Sequence, residues 1–191
     1  MVFDLAFGGF GRYILAGCFS ESGGPRAAML WDRRTGEKIK EFTLPNSDAI
    51  HTVCFTPDGM SALYAGNCGQ AFRYSLYTRE IEATYGRMQE HNIYSCRVSG
   101  DGERLFLGRS IKGNIDVYEM SSGRLIKTLG GHDANISGLA PSYDGSRLLS
   151  GCHDSLAIYW DVDRGSHLAR TKTRQPIRSV ALTHQGDHGF L

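Results

Sequence analysis

Short apolar runs separated by polar turn residues fill the chain, and none extends over the dozen residues of an amphipathic helix. Five stretches align without a gap: VFDLAFGGFG from Val2, IHTVCFTPDG from Ile50, IYSCRVSGDG from Ile93, ISGLAPSYDG from Ile136 and IRSVALTHQG from Ile177. Each closes on glycine, at Gly11, Gly59, Gly102, Gly145 and Gly186, and their starting points lie 48, 43, 43 and 41 residues apart. The first, fourth and sixth positions are mainly apolar and the fifth mostly small. This pattern predicts a short, largely buried strand running into an Asp-Gly type turn. A second apolar run then ends on glycine in ILAG, LYAG, LFLG and LLSG, at Gly17, Gly66, Gly108 and Gly151. A third run ends on an aromatic, at Trp31, Tyr74, Tyr118 and Trp160, and Gly36, Gly123 and Gly165 mark a further turn five residues beyond. A fourth run closes each unit, so the pattern predicts an all-β chain of repeated four-stranded antiparallel sheets.

Four short strands in each period of about 40 to 45 residues are the signature of a β-propeller blade. Residues at fixed phase extend the likeness: the dipeptides Trp31-Asp32 and Trp160-Asp161, the pair Gly131-His132, and the turns Asp58-Gly59, Asp101-Gly102 and Asp144-Gly145. Along almost its whole length the chain resembles the WD-repeat β-propeller family. The resemblance implies blades at residues 2–45, 48–86, 91–129 and 132–171, with a truncated fifth at 175–191. Blades 2 and 3 carry tyrosine in place of tryptophan, and blade 1 carries the insertion ESGGPR between its second and third strands. WD-repeat rings commonly have seven blades in about 300 residues, so an incomplete ring is expected: a fragment, an incomplete product, or an arc completed by another chain.

The composition fits this reading. Glycine occurs 24 times in 191 residues, about 13% against a usual 7%, and the recurring turns account for the excess. Lys plus Arg number 21 and Asp plus Glu 20, a balance that argues against a dedicated nucleic-acid binder and against adhesion to anionic membrane. Five cysteines, Cys18, Cys54, Cys68, Cys96 and Cys152, form no CxxC pair. That usage excludes a disulfide framework and a zinc site, and points to a reducing intracellular compartment, cytoplasmic or nuclear. Asp4 and Arg12 interrupt the first apolar stretch, which reads as a poor signal peptide, and no run reaches the 18 apolar residues of a membrane span.

Several groups offer candidate chemistry. His132, Ser150 and Asp154 have the residue types of a hydrolytic triad. No GxSxG elbow accompanies them. The resemblance instead implies a structural relay from the Trp160 indole through Ser150 and His132 to Asp154, and hence no catalytic residues, cofactor or metal. The other blades lack the full set: blade 3 keeps His91 but has Lys112 at the aspartate position, and blade 2 has Cys68 there. GERLFLGRS departs from a phosphate loop in spacing and reads as a strand. His184, Asp187 and His188 lie in a turn, and two histidines without a third ligand make a poor metal site. Arg170, Lys172, Arg174 and Arg178 form a basic cluster that reads as a solvated face, with RNA contact as the alternative.

The resemblance also suggests where partners bind. Arg34, in Trp31-Asp32-Arg33-Arg34, matches the WDxR pattern of WD-repeat receptors that dock on a cullin-RING ubiquitin ligase adaptor. Loops before the first strand and between the second and third strands share one face of a propeller. The first group holds His51, Tyr94, Asn135, Ser137 and Arg178, and the second holds Asn67, Arg109, Lys112, His153 and the inserted Glu21 to Arg26. Such content resembles a protein interface. The expected role is a non-catalytic scaffold for protein interactions within a multiprotein complex. The alternatives are a substrate receptor of a ubiquitin ligase, and an RNA-binding module or a hydrolase using His132, Ser150 and Asp154.

Overall fold

The computed structural model describes residues 2–18, 27–45, 49–88, 91–110 and 112–190. The described residues form four four-stranded antiparallel sheets and one two-stranded sheet, with no α-helix. The first sheet is β1 (Val2–Gly8), β2 (Tyr13–Cys18), β3 (Ala27–Asp32) and β4 (Lys38–Thr43), paired in that order. The second is β5 (Ile50–Phe55), β6 (Ser61–Gly66), β7 (Gln70–Ser75) and β8 (Ile81–Gly86). The third is β9 (Ile93–Val98), β10 (Arg104–Arg109), β11 (Ile115–Glu119) and β12 (Leu125–Leu129). The fourth is β13 (Ile136–Pro141), β14 (Arg147–Cys152), β15 (Leu156–Asp161) and β16 (Ser166–Lys172). β17 (Ala181–Leu182) and β18 (Gly189–Phe190) make the small fifth sheet. The sheets are the blades expected from the repeat. The inserted residues Glu21 to Arg26 lie outside the described residues.

The chain divides into two compact units, Met1–Cys96 and Arg97–Leu191. In the first, Leu15, Leu30, Phe42, Ile50, Val53, Tyr64 and Tyr74 join the first two sheets in one core. In the second, Phe106, Ile115, Val117, Ile136, Leu148, Ile158 and Trp160 join strands of the third and fourth sheets. Second strands are the most enclosed, with all six residues of β6 buried, whereas all seven residues of β16 are exposed. Burial on both faces explains why the second strands read as continuous apolar runs rather than alternating ones.

Two local devices keep this arrangement. The five turn glycines sit at φ between +65° and +80°, a region that L side chains rarely adopt. Beside three of these turns, the hydroxyl of Thr56, Ser99 or Ser142 donates to the carboxylate of Asp58, Asp101 or Asp144 at 2.5, 2.6 and 2.7 Å. The same hydroxyl accepts the amide N–H of Ser61, Arg104 or Arg147, closing the loop onto the next strand. The second device is a close approach. A Cβ at Gly108 would lie 2.6 Å from Ile136 Cγ2, and one at Gly151 would lie 2.5 Å from Ile177 Cγ2. Glycine at the end of the second strand therefore admits the leading isoleucine of the following sheet.

The turn after β7 departs from its counterparts. Gly36, Gly123 and Gly165 hold φ of +74°, +70° and +70°, but Arg79 occupies the equivalent place at +61°. All four amides donate to the residue four before, so the turn is the same. Two substitutions of opposite sign follow. Gly151→Ala is expected to cost about 1–3 kcal/mol by overpacking against Ile177. Arg79→Gly is expected to gain about 0.5–1 kcal/mol, as relief of left-handed strain outweighs added chain entropy. Urea denaturation of each variant beside the parent chain measures both.

Candidate functional site

The fourth sheet carries a buried polar chain. Ser150 lies in β14 opposite Ile158, and Trp160 lies in β15 opposite Leu148. His132 precedes β13, and Asp154 sits in the turn between β14 and β15. The Trp160 indole N–H donates to Ser150 Oγ at 2.8 Å. Ser150 Oγ lies 2.7 Å from His132 Nε2, and His132 Nδ1 lies 3.1 Å from Asp154 Oδ2. Asp154 also accepts the amides of Asp133 at 3.0 Å and Leu156 at 2.8 Å. The structure thus brings all four residues together. Gly131 is small for the same reason, since a Cβ there would meet His167 Nε2 at 2.8 Å and Trp160 Cη2 at 3.2 Å.

Burial sets the protonation of this chain. It pushes the His132 imidazole below its ordinary value despite the opposing pull of Asp154, so the ring is neutral near pH 7. Asp154 feels burial in the raising direction, but the amides of Asp133 and Leu156 together with His132 prevail, and the carboxyl stays below its usual range. A neutral ring donating from Nδ1 to Asp154 accepts at Nε2 from the Ser150 hydroxyl. Ser150 and Trp160 are 0% exposed and His132 only 2%.

His132, Cys152 and Asp154 are the group of metal-capable donors found among the described residues. Both ring nitrogens of His132 are already engaged. Burial pushes the Cys152 thiol up to about 11, which keeps it protonated. The donor set is therefore committed to hydrogen bonding rather than shaped as an open coordination site.

The candidate binding residues divide between the units. In the first, His51 Nε2 lies 2.5 Å from Asn67 Oδ1, and the ring stacks on Tyr94 at 4.5 Å and 11°. Phe3 also meets His51, in a T-shaped contact at 5.2 Å. Burial lowers the His51 pKa although the Asn67 bond opposes it. In the second unit, the Asn135 carbonyl accepts the amide of His153 at 3.1 Å, and the Ser137 hydroxyl donates to the Ile177 carbonyl. His153, Arg178 and Lys112 are exposed. Arg34 is exposed too, and its amide donates to Asp32 Oδ1 at 2.8 Å. Asp32 also accepts Arg12 Nε at 3.0 Å, so this aspartate organises its turn as Asp161 does with Arg164 and Arg147.

Arg109 is a correction. The sequence suggested a loop residue facing a partner, but β10 continues through Arg109, which is 3% exposed. Its Nε lies 2.5 Å from Asp116 Oδ2, and Asp116 Oδ1 accepts the Thr128 hydroxyl at 2.7 Å. Sequence reasoning missed this pair, whose signal was an acid, Asp116, within the third apolar run IDVY, seven residues after Arg109. His91, which occupies the histidine position of blade 3, is exposed, unlike His132.

Comparisons with known proteins agree with this architecture. The family described as WD domain, G-beta repeat matches residues 123–161. Telomerase Cajal body protein 1 of Mus musculus is 31% identical over 156 residues, covering 76% of this chain and 29% of that protein. The Homo sapiens protein of that name is 30% identical over 148 residues, covering 72% and 27%. Eukaryotic translation initiation factor 3 subunit I of Bombyx mori is 23% identical over 180 residues, covering 88% and 54%. The chain thus spans under a third of the first relatives and about half of the last.

The buried histidine gives a pH test. Its folded pKa is depressed, so the unfolded chain binds the proton more readily, and stability falls as pH drops below about 6.5 towards the folded value. Asp154, also depressed, adds a loss at lower pH as its folded carboxyl protonates. In denaturation curves between pH 7.5 and 5, His132→Asn is expected to lower stability throughout and to flatten this slope. Four four-stranded sheets in one repeating phase, a repeat match within them and relatives along three quarters of the sequence place this chain in the WD40 repeat family.

Proposed function

We propose that this chain is a non-catalytic platform for protein binding within a multiprotein complex. The observation that carries the reading is the Phe3–His51–Tyr94 aromatic group, with the His51 ring held by Asn67. His51 and Tyr94 are both partly exposed. Aromatic rings held rigid by neighbours lose little entropy on contact with a partner, which is why such residues anchor protein interfaces. Asn135, Ser137, His153 and Arg178 stand at related positions of the fourth and fifth repeats and are proposed as contacts offered by the second unit. The blades at 2–45, 48–86, 91–129 and 132–171 serve in this reading as the rigid support for those loops.

The burial of Ser150 supports a structural role for the His132, Ser150, Asp154 and Trp160 set, because a nucleophile must meet its substrate. The relatives' names, a telomerase Cajal body protein and a translation initiation factor subunit, are those of components of larger assemblies. They support an intracellular location, as do five cysteines that are all free thiols. Among the described residues no helix is long and apolar enough to cross a membrane.

Quantitative affinity purification tests the surface. Tyr94→Ala is expected to reduce partner recovery about tenfold, in the range of an interface hot spot, while Glu37→Ala and Lys38→Ala leave it unchanged. Equal losses for all three would reject the assignment. A fluorophosphonate reagent is expected to leave folded protein unlabelled, and modification of Ser150 would instead favour a hydrolase.

A further inference from the structure

β16 is the last strand of its sheet, and its outer edge meets no neighbouring strand among the described residues. All seven of its residues are exposed. From Gly165 to Gly186 the sequence holds four Lys or Arg residues and no Asp or Glu, although the whole chain is balanced at 21 to 20. Elsewhere in the same unit Arg104, Arg109, Arg124, Arg147 and Arg164 each lie within 3.5 Å of a carboxylate. Arg170, Lys172 and Arg174 form no ion pair among the described residues, and the Arg170 guanidinium reaches only the Gly131 carbonyl, at 3.5 Å.

The two faces of this edge differ. Ala169 pairs with Tyr159 and Thr171 with Ala157. These four residues, with Leu149 and Leu182, line a cavity of about 220 Å³. Arg170 and Lys172 pair with Ile158 and Leu156 and therefore belong to the opposite face. The edge thus alternates cations on one side with small residues on the other, beside a recess lined by Leu149, Tyr159 and Leu182 and also by Asp187.

We propose that this edge accepts an extended acidic segment of a partner protein as an added strand. Acidic side chains two apart lie along Arg170 and Lys172, with Arg174 just past the end of the strand, and the side chains between them face Ala169 and Thr171. A peptide backbone supplies the hydrogen-bonding groups that an open strand edge requires, and carboxylates spaced by two match cations spaced by two. Single-stranded RNA would instead need aromatic faces for its bases, and no Phe, Tyr or Trp occurs from 161 to 180. The inference rests on the protein-binding reading but uses a surface separate from the His51–Tyr94 stack.

The test uses the full chain and a fluorescent eight-residue peptide alternating glutamate and valine. Fluorescence anisotropy is expected to show binding that weakens about tenfold in Arg170→Gln/Lys172→Gln/Arg174→Gln, as loss of several charge-assisted contacts requires. The glutamine variant keeps polar side chains of moderate length on an exposed strand, and its melting curve verifies folding. Hydrogen exchange is expected to show new amide protection in 166–172 when the peptide is bound. Failure of the alternating peptide to bind, equal binding to the glutamine variant, or absence of protection in β16 overturns the proposal. So does a block peptide of four glutamates and four valines binding as tightly, or an RNA octamer binding more tightly through the same three residues. Should the peptide fail while Tyr94→Ala still loses partners, the edge proposal alone falls.

Discussion

The contact on which each unit depends is an isoleucine seated where a neighbouring sheet has no side chain. Ile50 approaches Gly17, Ile136 approaches Gly108, and Ile177 approaches Gly151. A sheet that is apolar on both faces has no stable form alone, and this seat lets the next one close over it without a void. The seat also accounts for the fixed phase of the repeat. Isoleucine opens one sheet and glycine stands at or next to the end of the second strand of the preceding one, and this pairing holds the sheets in phase.

Polar groups inside these sheets follow a stricter rule than the apolar ones, because each must find a partner when buried. The fourth sheet meets it with a neutral chain from indole to hydroxyl to imidazole, ending on one carboxylate. The third sheet instead joins a guanidinium, a carboxylate and a hydroxyl, from Arg109, Asp116 and Thr128. Equivalent strands therefore support different interior chemistry while the backbone pattern stays the same. Residue type alone was a poor guide to role here: in a set with the composition of a hydrolytic triad the serine and the histidine are buried, and an arginine beside a loop is interior.

The strands and the turn glycines were legible because they recur at one spacing, and the grouping of His132, Ser150, Asp154 and Trp160 followed from the resemblance to WD repeats. The His51–Tyr94 stack was legible only as two candidates, since its rings come from consecutive repeats 43 residues apart and meet only after the sheets pack. Arg109 was misplaced because Gly108 looked like the end of its strand, whereas the strand runs one residue further. The hydroxyls of Thr56, Ser99 and Ser142 were overlooked although each stands two residues before its aspartate, because attention to Asp-Gly hid the third member of the turn. Arg79 gave no signal at all: its left-handed backbone is imposed by a turn that glycine supplies elsewhere.

The Arg109–Asp116 pair has a consequence for how the third sheet reaches its structure. A slip of one residue between β10 and β11 would turn Asp116 to the opposite face and strand one charge in an apolar interior. Removing one member of a buried pair costs about 3–5 kcal/mol, and a slipped ladder would bear a similar penalty. Apolar side chains alone would tolerate such errors far better, since leucine facing valine is much like leucine facing isoleucine. The ion pair thus acts as a proofreader of strand alignment, sorting correct ladders from shifted ones during folding.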